Sequence, residues 1–365
     1  MKVGLVLGAG GVMGGAWLTG GLHALATETG WDPASADYVV GTSAGSMMGS
    51  LLASGIPPWF MVAHSAGETF EGLVDAGGER QDKASRAAGA EFKLDLWPPS
   101  IGPGSWQLIA RSLARPNRHQ PAALLAGWLP AGMISTEPLK ETVRRVAPKG
   151  WAEHPNLWVV ACDYATGRRV PFGRADAPQA DLADAVAASC AIPGFYKPVT
   201  IAGRRYVDGG LWSTSNLDIL RNERCDLVIC LNPTSSLHPT HAWNPAERVA
   251  GAMRRVSGRR LGSETKKLRA RGSEVVLVQP TAEDHEAMGP NLMARKNRNS
   301  VIATATETVT RQLRAPEVRK LLADLPPGEP DKIHRPAGPP STWPDTLPGG
   351  RVPADDAAGA YGEAV

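Results

Sequence analysis

Two short apolar runs near the N-terminus each break into glycine, and that repetition limits the chain more than any other feature. Lys2–Leu7 runs into Gly8-Ala9-Gly10-Gly11-Val12-Met13-Gly14, and the run Tyr38–Gly41 runs into Gly41-Thr42-Ser43-Ala44-Gly45. Each glycine turn opens a helical segment, one through about Thr29 and the other from Ala44 to Ser54. An uninterrupted apolar run of this length suits a strand buried on both faces. Strand, helix, strand, helix within about 55 residues calls for parallel strands covered by helices. The expected fold is therefore α/β, with three layers and a mainly parallel central sheet.

Further strands are expected at Leu157–Asp163, Arg168–Phe172, Val199–Ile201, Arg205–Val207, Leu227–Asn232 and Val275–Gln279. Helices are expected at Thr136–Ala147 and at Leu182–Cys190, the latter capped by Asp181. Longer ones are expected at Pro245–Arg271 and Val301–Leu325. Residues 56–135 carry no strand signal but hold Trp59, Trp97, Trp106 and Trp128 among Pro and Gly breaks, so they read as a helical cap inserted into the domain. From Pro326 to the end, 9 of 40 residues are Pro and 6 are Gly. That composition buries too little apolar surface to offset its ordering entropy, so 326–365 is expected to be a disordered tail after a single domain, 1–325.

Composition excludes several classes. Of 365 residues, 42% are hydrophobic and 21% charged, which rules out global disorder, and the net charge of +3 argues for no nucleic-acid partner. Cys162, Cys190, Cys225 and Cys230 lack metal-ligand spacing and read as reduced core thiols. The apolar start through Leu18 contains six glycines and no good cleavage site, so it reads as strand, loop and helix, not as a signal peptide. No run of 18 apolar residues occurs elsewhere, and the expected location is cytoplasmic, with peripheral membrane contact open. Nine Lys and Arg between Arg248 and Arg271 read first as a solvated helix face and second as attraction to anionic headgroups. The tryptophans of 59–128 read first as core. The stretch Met288–Met293 reads as a loop between helices, with no role assigned.

Three motifs carry chemistry. In Gly41-Thr42-Ser43-Ala44-Gly45, glycines two before and two after the serine permit a sharp turn that lifts Oγ out of the sheet beside a helix N-terminus. The loop Gly8, Gly10, Gly11, Gly14 has two readings. As a dinucleotide loop it lacks the tighter glycine spacing because Met13 intervenes, and the only acid of the second strand, Asp37, stands at the wrong end. As an oxyanion hole it needs only the amides of Gly10 and Gly11. The third motif, Tyr206-Val207-Asp208-Gly209-Gly210, places an aspartate at what reads as the carboxyl end of a parallel strand. None of His238, His241, His285 and His334 follows a strand in a glycine-rich loop, so a Ser–Asp dyad accounts for the sequence without histidine.

In order and spacing these blocks resemble the patatin-like phospholipase family, over roughly residues 2–320. Residues 188–198, Ala-Ser-Cys-Ala-Ile-Pro-Gly-Phe-Tyr-Lys-Pro, resemble that family's segment upstream of its aspartate. The resemblance implies Ser43 as nucleophile, Asp208 as general base, Gly10 and Gly11 as oxyanion hole, a lipid or ester substrate, and neither metal nor cofactor. Ala9 stands where many members have Gly, and Met13 where many have Arg or Lys, which leaves neutral esters open as substrates. A catalytically weak lipid-binding or regulatory protein on the same fold, and an NAD(P)-binding oxidoreductase, are the competing functions.

Overall fold

The computed structural model describes residues 1–68, 94, 102–114, 126–148, 150–238 and 245–338. In chain order the elements are β1 (Val3–Leu7), α1 (Gly11–Thr29), β2 (Tyr38–Thr42), α2 (Ala44–Ala53), α3 (Pro58–Ala66), α4 (Trp106–Ala114), α5 (Glu137–Val146), β3 (Leu157–Asp163), β4 (Arg169–Phe172), α6 (Leu182–Ser189), β5 (Val199–Ile201), β6 (Arg204–Asp208), β7 (Leu227–Leu231), α7 (Pro245–Arg269), β8 (Glu274–Val278), α8 (Ala282–Met288), α9 (Arg298–Leu313), α10 (Pro316–Leu322) and α11 (Pro330–Ile333). One eight-stranded sheet runs β5-β6-β3-β2-β1-β7-β8, with β4 also on β3. The pairs among β3, β2, β1, β7 and β8 are parallel, whereas β4 and β6 run antiparallel to β3.

Both faces of the sheet are covered, which is why the central strands are apolar without alternation. Leu5, Leu7, Val39 and Val159 face one core, shared with α1, α2, α6 and α9. Their neighbours in sequence, Val6, Val40, Trp158 and Val160, face a second core with Leu261 and Leu268 of α7. Successive strand residues point to opposite sides, so the continuous apolar runs feed two cores at once. Asp181 caps α6 as its sequence indicates, its carboxylate accepting from the Ala183 amide at 2.8 Å. All four cysteines are buried free thiols.

Several expectations need correction. The helix expected over Val301–Leu325 is two helices, because Pro316 starts a new one and Ala315 before it is extended. The segment from 326 is docked at points: Ile333 is buried, and the Trp59 indole donates to the Asp331 carbonyl at 2.9 Å. Two apolar anchors outweigh the proline content there, whereas 339–365 lie outside the described residues. The cap does not begin at 56, since α3 packs on α1 and α9 within the helical layer. Trp59 is core, Trp106 and Trp128 are exposed, and Trp97 lies outside the described residues. The aspartate strand β6 is antiparallel to β3, not parallel. Among the described residues, no helix is long and apolar enough to cross a membrane.

Candidate active site

The turn after β2 is strained at its serine. Ser43 has φ 53° and ψ −121°, a left-sided conformation that costs a residue with a Cβ roughly 1–3 kcal/mol. Although Ser43 precedes α2, its hydroxyl makes no capping bond to that helix. Its amide instead donates to Ser189 Oγ at 2.8 Å, and Ser189 Oγ donates to the Val160 carbonyl at 2.7 Å. A serine from α6 thus clamps the turn to β3. Gly45 is required by close approach: a Cβ there would lie 2.0 Å from the Leu7 carbonyl oxygen. The turn is therefore pressed against the end of β1, where the glycine loop begins.

Asp208 arrives from the opposite direction. β4 occupies one edge of β3 from Val159 to Cys162. The other edge is divided: β2 pairs with it from Leu157 to Val160, and β6 from Ala161 to Asp163. Because β2 and β6 run in opposite senses, they meet head-on, Thr42 opposite Val160 and Asp208 opposite Ala161. One residue step along a strand, about 3.3 Å, separates those levels. Both chains must leave the sheet where they meet, β2 through the Ser43 turn and β6 through Gly209. Asn216 ties the two exits together: its Nδ2 donates to Thr42 Oγ1 at 3.1 Å and to the Gly209 carbonyl at 3.4 Å.

Ser43 and Asp208 are 4% and 6% exposed, so the pair is desolvated. The Asp208 carboxylate accepts from the Gly210 amide at 2.7 Å, and the Ser43 side chain lies close enough to lower its pKa. Burial pushes its pKa up to about 6, and the Ser43 side chain and the Gly210 amide pull only partly the other way. No described histidine hydrogen-bonds to either residue; His241 lies outside the described residues. His285 is held neutral by burial and by nearby Arg254.

The glycine loop closes the third side. Gly8 and Ala9 donate their amides to Leu231 and Thr214 carbonyls, and Met13 donates to the Leu292 carbonyl at 3.0 Å. Between them, the amides of Gly10 and Gly11 have no partner among the described residues. Gly11 has φ 61°, and a Cβ there would meet the Leu292 carbonyl at 2.9 Å and Met293 Sδ at 3.0 Å. The stretch that had no role in the sequence therefore braces this loop. A Cβ on Gly210 would lie 3.6 Å from Ala9 Cβ, so the Asp208 loop and the glycine loop touch. Met13 is buried. Asp37 accepts from the Val3 amide at 2.7 Å, at the amino end of the sheet, far from any nucleotide ribose that this loop could hold.

All three motifs thus converge: Gly8, Gly10, Gly11 and Gly14 on one side, Gly41, Ser43 and Gly45 in the middle, Asp208, Gly209 and Gly210 opposite. Sequence reasoning missed Ser189, Asn216 and Leu292. Ser189 lies inside the noted 188–198 segment, Asn216 follows Asp208 in a polar run, and Leu292 carries no signal because it acts through its backbone. A family model described as patatin-like phospholipase matches residues 5–221, more than half of the 365-residue chain and the span of all three motifs.

Proposed function

The chain belongs to the patatin-like phospholipase family, a family of lipid acyl hydrolases, and from that premise we propose that it is a serine hydrolase of lipid esters working through a Ser43–Asp208 dyad. The observation that carries this reading is the buried pair: a serine whose hydroxyl makes no cap to its own helix, beside a carboxylate whose pKa is raised to about 6. A serine hydroxyl is a weak nucleophile, and a base of raised pKa in direct contact removes its proton without an intermediary.

In the first half-reaction Asp208 takes the Ser43 proton while Oγ bonds to the ester carbonyl carbon. The carbonyl oxygen becomes an oxyanion, for which the free amides of Gly10 and Gly11 are available. Collapse of this intermediate breaks the bond to the alcohol, which leaves with the proton from Asp208. Water then attacks the acyl-Ser43 ester, losing its proton to Asp208, and the acid is released as Ser43 regains a proton. The positive end of α2 beside Ser43 stabilises the negative charge in both steps.

A fluorophosphonate probe tests the assignment. Labelling is expected on the peptide containing Ser43, together with hydrolysis of p-nitrophenyl esters and of defined lysophospholipids and phospholipids. A probe that modifies no residue, or one other than Ser43, overturns it.

A further inference from the structure

Helix α7 spans Pro245–Arg269 and connects two parallel strands, so it runs antiparallel to them, from the carboxyl edge of the sheet back to the amino edge. Ser257 marks the level of that edge, since its Oγ lies 2.6 Å from Thr214 Oγ1 and 3.1 Å from Thr234 Oγ1, just past β7. The residues before Ser257 therefore overhang the carboxyl edge, by up to about 18 Å at 1.5 Å per residue. Ser43 and Asp208 lie at that same edge.

The overhang is two-faced. At about 100° per residue, Ser257, Leu261, Glu264 and Leu268 form the buried stripe. Opposite it, Arg248, Arg255 and Arg259 share an arc of about 40°, and Ala252, Val256 and Met253 occupy the adjoining arc of about 100°. Met253 is 69% exposed and Val256 65%. None of the three arginines forms an ion pair with a described residue. A carboxylate that could neutralise the helix from within, Glu264, is fully buried and held by Arg260 and Ser215.

A second apolar group projects from the same side. Cys162 shares a face of β3 with Trp158 and Val160, and it packs with Leu108 of α4 and with Tyr164. Tyr164 follows the carboxyl end of β3 and donates to the Ala126 carbonyl at 2.8 Å. There Trp106 and Trp128 form an edge-to-face pair at 5.9 Å, yet both are more than half exposed.

We propose that the outer face of α7 before Ser257, with the Trp106–Trp128 pair, is the surface by which this protein docks on an anionic lipid bilayer. A cationic stripe beside an apolar one is the pattern of an interfacial helix, with arginines at the headgroups and Met253 and Val256 at the acyl boundary. Tryptophan side chains suit that same depth. A polyanion such as nucleic acid would use the arginines and leave the apolar arc in water. The surface rests on the hydrolase reading only in lying at the end of the sheet that holds Ser43.

Co-sedimentation of the full chain with vesicles tests this, using phosphatidylcholine alone and an equal mixture with phosphatidylglycerol. The mixed vesicles should bind at least about tenfold more tightly, and high salt should weaken that binding. Arg255→Glu with Arg259→Glu should lower it more than about twentyfold, at about fivefold per charge, with an unchanged thermal midpoint as the folding control. Met253→Ser with Val256→Ser, and Trp106→Ala with Trp128→Ala, should each lower it severalfold. Ser43→Ala should bind like the wild type, so docking survives even if the hydrolase reading fails. Equal binding to both vesicle types, insensitivity to salt, undiminished binding by the charge-reversed protein, or capture by heparin but not by vesicles would each overturn the proposal.

Discussion

The ends of β2 and β6 meet along one edge of β3, yet they present their side chains by different means. At the end of β2 the device is local: a strained serine between two glycines, set on the first turn of α2. At the end of β6 the device is remote: a residue with negative φ, −48° and ψ 131°, placed by its pairing with Ala161 and anchored by its amide to the Ala191 carbonyl. The β2 end concentrates backbone strain, and the β6 end concentrates electrostatic cost. Strain is relieved by changing a residue's own backbone preference, whereas a desolvated charge is relieved only by removing the charge. The two ends should therefore answer differently to substitution and to pH.

The largest expected effect is on turnover. Ser43→Ala should lower hydrolysis of a p-nitrophenyl ester by more than about a thousandfold, with a stability change within about 0.5 kcal/mol. Residual activity within tenfold of wild type would remove Ser43 from the chemistry.

Asp208→Asn should cost roughly a hundredfold or more in kcat, while no His→Ala substitution does. The same variant should gain stability at pH 8. The folded pKa of about 6 lies above the ordinary 3.8, so the proton is held more tightly in the folded state. The buried carboxyl is then fully tolerated below about pH 4, and its cost grows as pH rises through 6, to at most about 3 kcal/mol. An amide keeps the Gly210 contact without the charge. The midpoint of Asp208→Asn should exceed that of wild type at pH 8 and match it at pH 4; a lower midpoint at pH 8 would contradict the desolvation account.

The wild-type enzyme should show the same group kinetically. With Asp208 as base, log kcat/KM should fall with unit slope below about pH 6 and level off above it. An acidic limb near pH 4 would mean the carboxylate is solvated in the working enzyme.

Two smaller effects probe the clamp and the strain. Ser189→Ala leaves the Ser43 amide and the Val160 carbonyl without their buried partner and should cost about 1–3 kcal/mol, read from denaturant unfolding. Ser43→Gly should be more stable than Ser43→Ala by about 1 kcal/mol, because glycine accepts φ 53° freely, partly offset by its unfolded-state entropy. If the two variants unfold together, the turn is not strained at that residue.

Much of the fold was legible because it rests on local signals. Unbroken apolar runs mean strands covered on both faces, and glycine at a strand's end means a tight exit into a helix. Those two rules locate Ser43 and the glycine loop at the same edge of a parallel sheet. Pro316 divides the expected helix because a proline cannot continue one, although the apolar periodicity runs on through it. The tryptophans could not be sorted, since Trp59 and Trp106 look alike in a one-dimensional pattern and differ only in what packs over them.

Taken alone, the amino-acid order determined the α/β layering, the serine turn with its helix, the glycine loop, and an aspartate followed by two glycines. All of these follow from backbone preference and side-chain polarity within a few residues. The tertiary structure alone decided that β6 runs against β3 and stops one residue short of β2, so that Asp208 faces Ser43. It also decided that Ser189, Asn216 and the Leu292 carbonyl hold the three motifs together. Register between strands tens to more than a hundred residues apart depends on packing summed over the whole core, and no short stretch of sequence carries that sum.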